Sequence, residues 1–158
     1  MPDATNATHE FAPILTRFGE AIGIPDLALD EDAACMLEID GQLFNLQWFA
    51  ASNTLAVYAV VGAAEHGPEA LPLYTALLEA NALGRETGGL TLGLHAGQDS
   101  LLLTGQVFSG NLEGDALYRY VEFFVAQAKH WETRIQEILA ETPEEGGAFD
   151  GADSGLRV

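Results

Sequence analysis

The stretch LLEANALGRETGGLTLGLHAGQDSLLLTGQV, residues 77–107, decides the fold of this chain. It begins with apolar residues at helical spacing and reaches Gly84, where a glycine commonly ends a helix. Residues 90–95 alternate between leucine and smaller or polar residues, which is the period of a β-strand. A turn at 96–99 leads into a second apolar strand that opens at Leu101. The stretch therefore predicts the end of a helix, a glycine break and a hairpin.

This hairpin also carries the first indication of self-association. Leu101, Leu102 and Leu103 put apolar side chains on both faces of the second strand. A strand of this kind requires cover on both sides, and a second copy of the chain is one source of that cover. Gly93, in the middle of the first strand, favours either a local kink or the close approach of another backbone.

Upstream, an amphipathic helix is predicted close to the N-terminus. We expect it to start near Phe11, because Pro13 is tolerated only in a first turn, and to end at Gly23 and Pro25. Apolar residues recur along it at helical spacing. They are Phe11, Ile14, Leu15, Phe18 and Ile22.

Three strands follow this helix. Residues 34–39 and 42–48 alternate in polarity on either side of Asp40 and Gly41, and Asp-Gly is a preferred two-residue hairpin turn. Residues 54–61 form a third strand that is rich in β-forming residues. Together with the 77–107 stretch, these strands predict one sheet.

The chain ends in a long helix and a tail. Asn111 is a candidate helix cap, and apolar residues then follow helical spacing to Leu139. The order α-β-β-β-α-β-β-α predicts an α+β fold in which helices flank an antiparallel sheet. Residues 1–140 form a single domain with its core at about 8–140, and residues 141–158 form a flexible acidic tail.

Composition narrows the classes of partner. Six Lys and Arg against 24 Asp and Glu give the 158-residue chain a formal net charge of -18. This charge argues against nucleic acid and anionic membranes and favours basic partners. The one cysteine, Cys35, indicates a reducing compartment, and no secretory signal is evident. The uncharged stretch 41–64 reads as sheet and predicts no membrane insertion. We expect a cytoplasmic protein.

Catalytic motifs are weak, so we predict that the chain is not an enzyme and that it uses no cofactor or metal. The spacing from Gly84 to Gly89 resembles half of a phosphate-binding loop, but Leu90 stands where that loop needs lysine. The four histidines are scattered, and residues 30–32 lack the spacing of a calcium loop. A carboxylate pair buried in the fold remains an alternative.

The segment LLEANALGRETGGLTLGL, residues 77–94, resembles the central signature of the class I type III secretion chaperones, the Tir chaperone or CesT-like family. In that family a Leu-Leu-x-Ala-Asn-x-Leu-Gly helix end runs into a glycine-led strand. Phe124 and Trp131 match an aromatic residue and a tryptophan in the family's long last helix. The resemblance covers roughly residues 8–140 and implies a secretion-chaperone-like fold in a homodimer.

The resemblance also implies where the two kinds of contact lie. The second helix and the strand after it would form the dimer interface, with Leu73, Leu77, Leu92 and Leu94 in it. The first helix and first strands would form grooves for the client. Residues expected near those grooves are Phe11, Ile14, Phe18, Leu37, Phe44, Leu46 and Trp48. The alternation along the strands leaves open which face is core and which is groove.

The function implied by the resemblance is that of a bacterial, ATP-independent chaperone. It would bind the N-terminal chaperone-binding segment of a secreted effector, keep it soluble and partly unfolded, and so keep it competent for export. Two alternatives stay open. One is a non-secretory regulator or adaptor of the same fold that binds a folded partner, and the other is a small ligand-binding domain or enzyme with an internal cavity.

Overall fold

A computed structural model describes residues 4–141, with side chains from Phe11 onward. The element order matches the predicted α-β-β-β-α-β-β-α, with short 3-10 turns between some elements. The elements are α1 (Ala4–Ala21), β1 (Ala34–Ile39), β2 (Gln42–Phe49), β3 (Thr54–Ala63), α2 (Leu71–Asn81), β4 (Thr91–His95), β5 (Ser100–Phe108) and α3 (Ala116–Glu141).

All five strands form one antiparallel sheet in the order β1-β2-β3-β5-β4. β3 and β5 are neighbours in the sheet although α2 and β4 separate them in sequence. β1 and β4 are consequently the two edge strands.

The hydrophobic core fills the space between one face of this sheet and the helices. Phe11 of α1 stacks on Trp48 of β2 with ring centroids 4.5 Å apart and planes within 7° of each other. Phe44 of β2 lies 6.4 Å from Phe124 of α3, ring centroid to ring centroid. These aromatic pairs fix both helices on the first half of the sheet.

The two-residue turn predicted between β1 and β2 is confirmed. Asp40 has φ 50° and Gly41 has φ 80°, so both central residues lie in the left-handed region that such a hairpin turn requires. Ile39 pairs with Gln42 directly across the turn.

The predicted glycine break after α2 is also confirmed. Leu83 and Gly84 have φ values of 60° and 62°, and the Gly89 N–H donates to the Gly84 carbonyl at 3.0 Å. A Cβ on Gly84 would lie 3.1 Å from the Gly89 Cα, which is a tight contact, and the positive φ would strain any other residue, so the loop favours glycine here. A Cβ on Gly88 would strike the Phe123 ring of α3. The break therefore packs directly against the last helix.

Two predicted helix starts were wrong. α1 begins at Ala4 and not near Phe11, and Pro13 lies inside it. A proline removes one backbone hydrogen bond from a helix interior, but this penalty is local, and the exposed Pro13 does not end the helix.

α3 begins at Ala116, five residues after the predicted cap Asn111. Residues Ser109–Asn111 form a 3-10 turn, and Gly114 has φ +64°, which is outside the helical region. The predicted acidic tail, apart from Glu141, lies outside the described residues.

Candidate functional site

The alternation of side chains along β2 determines whether several of the residues predicted to contact a client are buried or exposed. Phe44, Leu46 and Trp48 point toward the helices and are at most 2% exposed. Phe11, Phe18 and Leu37 are buried in the same core, and only Ile14 is half-buried. Six of the seven predicted residues therefore pack the protein's own interior, and one of them, Phe18, also lines a surface groove.

The residues predicted at the dimer interface divide in a similar way. Leu73, Leu77 and Leu92 are buried within the chain, whereas Leu94 is 54% exposed. Two leucines of α2 that the sequence reasoning missed, Leu71 and Leu78, are 69% and 71% exposed. We call Leu71, Leu78 and Leu94 the α2 surface.

Beside the α2 surface, a cleft of about 270 Å³ runs between α2 and β4. It is lined by Tyr74, Leu77, Leu78, Asn81, Leu92, Gly93, Leu94 and Leu101, none of which is charged. A Cβ on Gly93 would meet no atom within 4 Å. Within the described chain, the space that a side chain at position 93 would fill is therefore empty.

A larger concavity of about 530 Å³ lies at the opposite end of the sheet, between α1, the β1–β2 turn and α3. We call it the α1–α3 groove. Its lining is apolar except at the rim. The apolar residues include Phe18, Ile22, Ile39, Val121, Val125 and Ala126.

The rim of the α1–α3 groove is acidic. Glu38, Asp40 and Glu122 carry three carboxylates there, against the one ammonium group of Lys129. A hydrogen bond to Glu122, together with the negative charge of that carboxylate, raises the pKa of the Tyr118 hydroxyl. The groove offers apolar contact at its floor and attraction for cations at its rim.

Cys35 of β1 lies near this end of the sheet. Burial, with a smaller contribution from the negative charge of Asp30, raises the pKa of the Cys35 thiol to about 11. The thiolate is the reactive form of cysteine, so this side chain is a weak nucleophile at neutral pH.

Two further observations bear on the class of protein. Among the side chains that the structure describes, no three His, Cys, Asp or Glu residues lie close enough together to hold a metal ion. Within residues 4–141, no helix has the length and apolar character needed to cross a membrane.

Comparison with known proteins gives one family and one recurrent fold. The model of the Tir chaperone protein (CesT) family matches residues 13–132. A protein of Chlamydia pneumoniae is 30% identical over 119 residues, which are 75% of this chain and 90% of that protein.

Three solved structures share the fold. A chain in the ExsC–ExsE complex has a TM-score of 0.68 and 21% identity, and the match covers 81% of this chain and 95% of that one. A chain in the HopA1–SchA chaperone–effector complex has a TM-score of 0.65 and 18% identity, covering 80% and 95%. The Yersinia pestis type III secretion chaperone SycH, in complex with a stable fragment of YscM2, gives 0.60 and 17%, covering 77% and 98%.

The family model and the Chlamydia relative each span about three quarters of the chain. The solved structures share the fold at lower identity. This chain belongs to the Tir chaperone protein (CesT) family.

Proposed function

We propose that this protein is a homodimeric, ATP-independent type III secretion chaperone of the bacterial cytoplasm. It binds the N-terminal chaperone-binding segment of a secreted effector and holds that segment extended, soluble and competent for export. Family membership supports the class of function. The chaperone–effector complex of SchA and the SycH complex, which share the fold, support a protein client.

The observation that carries the proposal is the α1–α3 groove. Its floor accepts apolar side chains of an unfolded segment, and burying them there provides affinity. Its three rim carboxylates favour a segment that interleaves apolar residues with Lys or Arg. The net charge of -18 attracts such a basic segment from a distance.

This assignment keeps the client at the first helix and the first strands but moves its contacts to other side chains. Phe11, Phe44 and Trp48 contribute indirectly. Their packing in the core sets the position of α1 against β2. Ile22, Ile39 and Ala126 line the groove without being buried, and they take the direct contacts.

The dimer forms through the α2 surface. Exposed apolar groups that lie together commonly mark a protein interface, and the uncharged cleft beside them removes the electrostatic cost of burying it. Leu73, Leu77 and Leu92 support this surface from inside the chain, and Leu94 contacts the second copy.

The protein acts by binding and not by catalysis. In the described part of the chain, raised pKa values fall on Cys35, Tyr118 and Tyr120, which are not gathered around a metal-binding cluster. Cysteine and tyrosine side chains are already protonated at neutral pH, the raised pKa values make the ionised forms rarer still, and a protonated thiol or phenol is a poor nucleophile.

The test places a charge in the groove without touching the core. Ala126 is exposed on α3 and lines the groove, so Ala126→Arg should block the client and leave the fold intact. Ala140→Arg makes the same change on an exposed position of α3 outside the groove. Each variant is co-expressed with secreted proteins encoded by the same genome, and the purified complexes are analysed by mass spectrometry and light-scattering mass.

The expected result is a dimer that carries one secreted protein through its N-terminal segment, lost in Ala126→Arg and kept in Ala140→Arg. Deleting the client's N-terminal segment should abolish the complex. A folded cytosolic partner held without such a segment would instead support a regulator of the same fold. A monomer without any client would contradict the proposal.

A further inference from the structure

The charges that line the α1–α3 groove follow a definite order along helix α3. Lys129 lies at the end of the groove nearer to the last turn of α3, and Glu122 lies earlier on the same face of the helix. At 1.5 Å per residue, these two positions are roughly 10 Å apart along the helix axis. A chain that runs back from the end of α3 therefore meets a cation first and a carboxylate second.

The face of α3 between the groove and the end of the helix offers such a chain an uncharged path. Thr133, Gln136 and Ala140 continue the face of Lys129 at helical spacing, and all three are exposed. The Thr133 hydroxyl donates to the Lys129 carbonyl at 3.2 Å. These three side chains carry no charge that would repel an acidic segment.

The residues after α3 carry charges in the complementary order. They are TPEEGGAFDGADSGLRV, residues 142–158, and they lie outside the described part of the chain. Asp150 and Asp153 come first, and Arg157 follows as the one Lys or Arg after Arg134. Asp153 and Arg157 are roughly 13 Å apart in a fully extended chain. They are thus ordered and spaced as partners for a cation followed by a carboxylate.

The length of this segment is sufficient to reach the groove of its own chain. Glu122 lies roughly 29 Å before Glu141 along the helix axis. The residues between Glu141 and Arg157 span at most about 55 Å when extended. Gly146 and Gly147 stand soon after the end of α3, and glycine accepts the backbone angles of a reversal at low steric cost.

We propose that residues 153–158 occupy the α1–α3 groove when no client is bound and so act as an internal competitor for it. Leu156 and Val158 contact the apolar floor, where their burial provides affinity. Arg157 pairs with the Glu122 carboxylate, and Asp153 pairs with Lys129.

This contact sets a threshold for clients. The segment has the alternation of apolar and basic residues that the groove is proposed to select, and its attachment to α3 makes its binding intramolecular. A segment that fills the groove for about two thirds of the time lowers the apparent affinity of a client about threefold. The competition rests on the proposed function, whereas the contact between the segment and the groove does not.

The first arm of the test uses the full chain without a client. Ser154→Cys introduces a thiol for a nitroxide label, and Cys35 reacts slowly at neutral pH because its own pKa is about 11. The label should broaden the methyl NMR signals of groove residues and leave the leucine signals of the α2 surface unchanged. The groove residues to follow are Ile22, Ile39 and Ala126.

A matched variant separates docking from mere proximity. Leu156→Ser with Val158→Ser keeps the label and its attachment to α3 but removes the apolar anchors, so the broadening in the groove should be lost. Ala148→Ser with Ala152→Ser is the control and should keep it. Equal broadening at the groove and the α2 surface overturns the proposal, as does broadening that survives the loss of Leu156 and Val158.

A charge exchange tests the predicted ion pair. Arg157→Glu should reduce the broadening in the groove, and Glu122→Arg added to that variant should restore it. If the second substitution restores nothing, Arg157 does not pair with Glu122, and the proposed arrangement is wrong. Thermal unfolding of each variant checks that the fold is unchanged.

The second arm measures competition with a defined probe. A fluorescent peptide of eight residues, alternating leucine and lysine, stands in for a client. Its affinity, measured by anisotropy, should rise about threefold in Leu156→Ser with Val158→Ser and stay at the wild-type value in the alanine-to-serine control. An unchanged affinity in both variants would overturn the internal competition.

Failure of this inference is distinguishable from failure of the proposed function. Genuine clients that bind a groove whose signals the label never broadens would refute the internal contact and leave the chaperone function intact. Specific broadening in a protein that captures no secreted client would refute the function and leave the contact intact.

Discussion

Helices pack at both ends of the sheet, but the two ends expose side chains of different charge. At the β1–β2 end, helices α1 and α3 leave a groove whose apolar floor is ringed by Glu38, Asp40 and Glu122. At the β4–β5 end, helix α2 leaves exposed leucines beside a cleft without a charged side chain.

This difference fits the two proposed contacts, a reversible one with the client at the first end and a lasting one with a second copy at the other. Carboxylates lose hydration when they are buried, so a permanent interface over the acidic rim would be costly. The same carboxylates accelerate the approach of a basic chain and discourage self-association. Uncharged leucines carry no such cost, and they are suited to lasting burial against a second copy.

The largest expected effect tests which side chains of β4 are buried in the core and which lie at the surface. Leu92→Asp buries an unpaired carboxylate and should lower the free energy of unfolding by about 4 kcal/mol or more. Leu94→Asp changes a side chain that is 54% exposed and should leave the fold in place while weakening self-association. Urea unfolding of both variants checks the contrast, and equal losses of stability would contradict it.

The next effect tests the dimer surface. Leu78 is 71% exposed, and Leu78→Asp removes its burial from both copies, which costs about 3 kcal/mol of association free energy. The dissociation constant of the dimer should therefore rise by roughly two orders of magnitude. Analytical ultracentrifugation measures it, with Gln136→Asp on an exposed position of α3 as the control. An unchanged dimer would exclude Leu78 from the interface.

A smaller effect tests the acidic rim. Glu38→Gln combined with Glu122→Gln should slow client association a few-fold at low salt, because surface charges mainly affect encounter rates. Glu79→Gln with Glu86→Gln removes the same charge at the far end of the sheet and should change the rate less. Stopped-flow association at low and high salt distinguishes the pairs. Equal slowing by both pairs would mean that total charge, and not the rim, steers the client.

The smallest expected effect tests how far Cys35 of β1 is shielded from solvent. The pKa of Cys35 rises from an ordinary value of 9.0 to about 11 in the folded protein. Folding thus favours the protonated thiol, and this contribution to stability is present below pH 9 and lost as the pH rises through 11. Alkylation of the folded protein should be slow at neutral pH and accelerate toward pH 11, whereas the urea-unfolded chain should react readily near pH 9. Matching pH profiles would show that Cys35 is solvated.

Local patterns predicted most of the fold. Asp40 and Gly41 specify their hairpin because a tight turn needs two residues at positive φ, and that requirement is readable in the sequence. The glycine break after α2 is similarly local. The starts of α1 and α3 were missed because they depend on Pro13 and Gly114. The energetic cost of a proline or a glycine in a helix can be offset by the surrounding structure, which the local sequence does not show.

The site was less predictable, for a physical reason. β2 carries large apolar residues on both faces, so alternation alone does not separate buried Phe44 from exposed Phe49. α2 is apolar almost all around, and its spacing does not distinguish buried Leu77 from exposed Leu78. Only the placement of α3 and α2 over one face makes that choice.

The pairing of β3 with β5 across an intervening helix also has a consequence during synthesis. β1, β2 and β3 form a continuous meander that emerges from the ribosome first, whereas β5 joins it only after residues 64–99 have been made. α3, which supplies Phe124 and Trp131 to the core, emerges last. The part of the apolar sheet face that α3 covers therefore stays exposed until the final helix is translated, and slowing translation after β5 should raise aggregation of this protein.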